Sequence, residues 1–135
     1  MDMEATIKHY QELYTEWSRI DDLNLSEKVK QVPSQKQFWA TRLIDSKVEK
    51  LKLERQKKAI KKSVLETMYK ESPVNLSKKI EEQVDNSPQL EKITEKIEDI
   101  DMVILALDYI YSNVKFVDSS IRNILDDKKL ESGIY

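Results

Sequence analysis

The sequence predicts an all-α protein, with long helices forming a helical hairpin or bundle and a coiled-coil-like C-terminal helix that oligomerises. Three observations lead there. One Gly and three Pro in 135 residues leave few of the tight turns that recruit glycine. Apolar residues recur at steps of three and four rather than alternating. Ser34 and Ser87-Pro88 are helix-start signals, each ahead of a long stretch free of Gly and Pro. The length fits a single helical domain over residues 1–135.

Residues 1–33 read as an N-terminal helix and connector. Ile7, Tyr10, Leu13, Tyr14 and Trp17 form one amphipathic face. Leu23, Leu25 and Val29 suggest a packed connector with a turn of helix, punctuated by Pro33. Ser34 is the expected N-cap of a long basic helix over 34–71, with Gln37 completing a capping-box pattern. That helix is expected to stop before Ser72-Pro73. A polar connector follows at 72–87, with a short helix near 77–84. Ser87 then caps, and Pro88 begins, an oligomerising helix over 88–131, with Gly133 at the C-cap.

The last helix has the most regular pattern. Ile93, Ile97, Ile100, Ile104, Leu107, Tyr111 and Val114 step by three and four, as in a heptad seam. Asp118 interrupts the series, and Ile121 and Leu125 resume it. A further column, Val103, Ile110, Val117 and Ile124, widens the face enough to touch two neighbours. This fits an intramolecular bundle, a homo-oligomer larger than a dimer, or both.

Charge is segregated along the chain. The overall net charge is −2, yet residues 31–70 carry eleven cations against four acids, a net +7 between acidic flanks. Between Lys47 and Lys62 stand eight cations and only Glu49 and Glu54. On a helical wheel Lys47, Lys50, Arg55, Lys57, Lys58, Lys61 and Lys62 occupy an arc about 160° wide, opposite Leu53, Ile60 and Val64. Too few acids are present to balance them in i,i+4 pairs. Such a face suits a phosphate backbone, and its lysine bias suits binding without sequence preference. An acidic protein partner for a coiled-coil scaffold or assembly chaperone is the other reading, and a solvated helix face is the bland one. Phe38, Trp39 and Tyr69 near the block suit base stacking or, more commonly, core packing.

Other chemistry is poorly supplied. With no Cys, one His and one Gly, the chain lacks a zinc cluster, a thiolate nucleophile and a phosphate-cradling glycine loop, so neither an enzyme nor a cofactor is expected. The longest apolar run, Met102–Leu107, is far shorter than a membrane span needs. The opening Met1-Asp2-Met3-Glu4 lacks a secretory pattern, and a soluble, intracellular protein is expected.

The order of these features resembles a known family. Trp17, Ile20-Asp21, Lys30-Gln31-Val32-Pro33, Phe38-Trp39 and Leu51-Lys52-Leu53-Glu54-Arg55-Gln56-Lys57-Lys58 are followed by Lys61-Lys62, Leu65-Glu66 and Tyr69. Ser120-Ile121-Arg122-Asn123-Ile124-Leu125-Asp126 and Leu130-Glu131-Ser132-Gly133 close the series. Over nearly its whole length the chain is similar to the UvsY recombination mediators of T4-like phages. The resemblance implies a single-stranded-DNA-binding homo-oligomer, a hexamer- or heptamer-sized ring. Such a ring helps a RecA-like recombinase load onto strand coated by single-strand-binding protein, in the host cytoplasm if phage-encoded. It also implies a Lys-x-Arg pair after the Gln-Lys-Lys element. Here Lys62 matches the Lys, Val64 stands where the Arg would be, and Lys61 adjoins Lys62.

Overall fold

A computed structural model describes residues 2–19, 24–71 and 82–133. Its elements are α1 (Met3–Ser18), α2 (Leu25–Glu71) and α3 (Pro88–Glu131), with a helical turn at 82–85 before α3. No strand occurs among the described residues, and the fold is all-α as expected.

Each helix end has an identifiable cause. Asp2 caps α1, its carboxylate accepting from the Ala5 amide at 2.7 Å. The Ser87 hydroxyl accepts from the Leu90 amide at 3.4 Å, and α3 starts at Pro88 as its sequence signal requires. At the other end Gly133 takes φ 71°, and its amide donates to the Leu130 carbonyl at 3.1 Å. Ser87→Ala should remove about 1 kcal/mol of stability, read by chemical denaturation with unchanged helix content in the native baseline.

The start of α2 differs from expectation. The helix begins at Leu25, not Ser34, and carries Pro33 inside it. A proline there removes one backbone hydrogen bond and crowds the preceding turn, a cost of about 3 kcal/mol. Burial on the same stretch offsets it: Leu25 and Val32 are almost fully covered, while Pro33 lies exposed. Ser34 does not act as an N-cap; its hydroxyl donates back to the Gln31 carbonyl at 2.9 Å. The connector residues 20–23 and most of the expected short helix near 77–84 lie outside the described residues.

The chain forms two compact units. The first joins residues 1–45 with 103–135. Its buried side chains include Trp17, Leu25, Val32, Trp39 and Leu43, with Leu107, Ile110, Val114 and Ile121 from α3. Trp39 stacks edge-on against Tyr10 and Phe38, at centroid distances of 5.9 and 4.8 Å. The Trp17 indole donates to Gln31 at 3.0 Å, and the Lys28 ammonium donates to the Trp17 carbonyl and lies over its ring. Lys36 reaches the Asp118 carboxylate at 3.2 Å, and Arg122 donates to it at 2.9 Å. The interruption at Asp118 is thus an ion-paired position, largely covered, in an otherwise apolar face.

Burial alone would push the Asp118 carboxyl up. The hydrogen bonds and charges of Arg122 and Lys36 outweigh it and hold the pKa below the usual carboxylate value. A lowered folded-state pKa contributes stability that is complete above the unfolded value, about 3.9, and is lost as pH falls through the folded value. Asp118→Asn should therefore flatten the acid limb of a stability–pH curve below about pH 4, as measured by denaturant titrations across that range.

The second unit comprises Ser46–Met102. Val84, Leu90 and Ile93 form its buried cluster, with Leu53, Ile60, Val64, Leu65, Met68 and Ile97 packed against it. Within this unit α2 and the opposing chain run antiparallel, because Lys50 pairs with Asp101 whereas Lys61, further along α2, pairs with Asp85.

Candidate nucleic-acid interface

The second unit carries the cationic block. Leu53, Ile60 and Val64 turn toward the unit's core, so the remaining arc of α2 faces outward. Lys47, Lys52, Arg55, Lys58 and Lys62 are exposed, but Lys50, Lys57 and Lys61 are half-buried beside the apolar stripe and not opposite it as expected, because about 100° per residue brings Lys57 next to Val64 and the other two within a quarter turn of Leu53. Val64 packs against the cluster of Val84, Leu90 and Ile93. A guanidinium at this position would displace an apolar contact.

The cations are not equivalent. Lys50 lies 2.6 Å from the Asp101 carboxylate and 3.9 Å from Glu54. The hydrogen bond to Asp101 holds its ammonium pKa above the ordinary lysine value. Lys61 lies 3.2 Å from Asp85. Among the described residues, Lys47, Arg55, Lys57, Lys58 and Lys62 have no carboxylate within ion-pair distance. A polyanion would find these five outside any ion pair and would compete with Asp101 and Asp85 for the other two. Lys57, Lys58 and Lys61 converge on an open groove of about 380 Å³, with Ile97 and Glu54 completing its lining.

Aromatic side chains contribute little at this face. Trp39 is buried in the first unit, where Phe38 lies half-buried beside it under the Arg42 guanidinium. Tyr69 is exposed near the end of α2. His9 is exposed on α1. Among the described residues no group of His, Asp and Glu is arranged to hold a metal, and no helix is long and apolar enough to cross a membrane.

The seam residues of α3 lie largely within the protomer. Ile93, Leu107 and Val114 are buried, and Ile97, Ile100, Ile104 and Tyr111 are half-buried. Sequence reasoning passed over the outward column of the same helix, in which Met102, Leu105, Tyr109 and Phe116 are exposed. It also passed over Asp85 and Asp101 as partners of the basic face. The column's steps of three, four and seven were present in the sequence, masked by the stronger inner pattern.

The sequence matches no protein-family model, and no curated protein is similar to it. Its fold, however, matches solved structures. Against a crystal structure of the bacteriophage T4 recombination mediator protein UvsY in lattice type IV, the TM-score is 0.80 at 18% identity, covering 93% of this chain and 98% of that one. Against UvsY in lattice type II the TM-score is 0.77 at 16% identity, covering 93% and 96%. The all-helical arrangement described above matches the helical fold of UvsY.

Proposed function

We propose that the protein is a recombination mediator that binds single-stranded DNA through the outward arc of α2 and acts as a homo-oligomer. In this role it helps a RecA-like recombinase load onto strand coated by single-strand-binding protein. The observation that carries the reading is the cationic arc of α2, in which Lys47, Arg55, Lys58 and Lys62 are exposed and Lys57, Lys58 and Lys61 line one groove, on a fold shared with a recombination mediator.

Ammonium groups on flexible stems attract backbone phosphates without demanding fixed geometry, so one site accepts any base sequence. Each phosphate neutralised releases counterions and makes binding salt-sensitive. A few unpaired cations per protomer give modest affinity, and an oligomer multiplies them through effective concentration. Holding a strand by many weak contacts lets each be released singly as recombinase displaces the coating protein. The groove is open and lined by Lys57, Lys58 and Lys61 with Glu54 and Ile97, and the proposed role is one of binding and handover.

The test is filament nucleation by a RecA-like recombinase on single-stranded DNA pre-coated with single-strand-binding protein, followed by DNA-dependent ATP hydrolysis. The protein should shorten the lag. An unchanged lag over a range of protein concentrations would contradict the mediator role, and retained binding to an acidic protein would then favour the scaffold reading.

A further inference from the structure

Two cations of α2 are already held by carboxylates of their own unit. Lys50 lies 2.6 Å from Asp101, and Lys61 lies 3.2 Å from Asp85. Turning about 100° and rising about 1.5 Å per residue, α2 places these two lysines on one flank, roughly 16 Å apart, with Lys57 between them. Lys57 makes no ion pair among the described residues, and it lines the groove together with Lys58 and Lys61. The opposing segment is equally uneven. Glu98 and Asp99 are exposed and unpaired among the described residues, whereas Asp101 reaches across to α2.

Both pairs are open enough to exchange. Side-chain exposure is 34% for Lys50 and 46% for Asp101, and 43% for Lys61 and 60% for Asp85. Pairs in that setting contribute little to stability, because water takes up each partner when they part. A buried pair would be costly to break, as it leaves a charge without solvent. A phosphate reaching Lys50 or Lys61 therefore displaces a carboxylate into water at small cost. The carboxylate stays tethered beside the lysine, at high effective concentration, and retakes it when the phosphate leaves. Glu54, 3.9 Å from Lys50, is a more distant neighbour of the same sign.

We propose, resting on the nucleic-acid reading, that Asp85 and Asp101 are built-in competitors of the strand. They occupy Lys61 and Lys50 in the absence of DNA, lower its affinity, and reclaim the two lysines as it departs. The strand is thus held firmly by the unpaired cations and loosely by the paired ones, which suits a protein that must give the strand up. Removing these two carboxylates should tighten binding, and the gain should depend on the lysines they face.

Asp85→Asn with Asp101→Asn frees both lysines and leaves side-chain size unchanged. By fluorescence anisotropy with a labelled oligothymidylate at about 0.1 M salt, this variant should bind about fivefold more tightly than the parent, each exposed pair being worth roughly a factor of two to five. Glu98→Gln with Asp99→Asn removes the same amount of charge from the same unit. It should tighten binding about twofold at most, because its carboxylates sit in no ion pair and are screened by salt. A third arm puts Asp85→Asn and Asp101→Asn into a Lys50→Met, Lys61→Met background, which keeps the stems and removes the ammonium groups. There the gain should shrink to that of the Glu98 and Asp99 control. Circular dichroism should show native helicity throughout. If the fourfold variant loses it, the same cycle on Lys61 and Asp85 alone decides, with a gain of about twofold or more confined to the background that retains Lys61. A parent with salt-dependent binding whose Asp85 and Asp101 variant gains no more than the control, or gains as much in the methionine background, would overturn the inference and leave the nucleic-acid reading standing. A parent that binds no single strand would overturn both.

Discussion

Replacing Lys58, Lys61 and Lys62 together by alanine should weaken single-stranded-DNA binding roughly tenfold or more at about 0.1 M salt. The slope of log affinity against log salt should fall by about 2, because each phosphate contact on a single strand contributes about 0.7. Lys58 and Lys62 are exposed, and the pair Lys61 makes with Asp85 lies largely in solvent. Surface pairs of that kind are worth little to stability, so the variant should fold and assemble like the parent. Residual binding through Lys47, Arg55 and Lys57 should remain salt-dependent. Stimulation of a RecA-like recombinase on coated strand should be lost along with affinity. An unchanged slope in the variant would remove this face as the DNA site.

Trp39→Ala should be the most destabilising single substitution on α2. The side chain is 1% exposed, stacks edge-on with Tyr10 and Phe38, and donates its indole N–H to Gln35 at 3.1 Å. Truncating a buried Trp to Ala costs about 3–5 kcal/mol through lost transfer energy and the cavity left behind. Native domains have about 5–15 kcal/mol in hand, so the first unit should be largely destabilised, with a fall in denaturation midpoint. Trp39→Phe keeps most of the volume and should recover much of the loss.

Much of this architecture was legible in the sequence because local rules decide it. Ser87-Pro88 and Gly133 mark the ends of α3 through backbone chemistry that needs no tertiary partner. Pro33 misled because a breaker signal is local, whereas its cost was offset by burying Leu25 and Val32. The charged arc of α2 was legible from helical periodicity. Its pairing with Asp85 and Asp101 was not, because those contacts span 24 and 51 positions of chain and depend on where the opposing segment lands. The apolar columns of α3 show the same limit: periodicity reveals that a face is apolar, and only the neighbouring helix decides that Leu107 and Val114 lie inside while Tyr109 and Phe116 remain outside.

The central claim is that free cations on α2 hold single-stranded DNA by its phosphates. Fluorescence anisotropy with labelled single strands of differing sequence, titrated at several salt concentrations beside duplex DNA and an acidic protein, tests it most directly. Affinity should be nearly independent of base sequence and should fall linearly in log–log form with salt. The slope should correspond to several phosphates at about 0.7 each. Binding that is absent, insensitive to salt, or directed only to the acidic protein would contradict it.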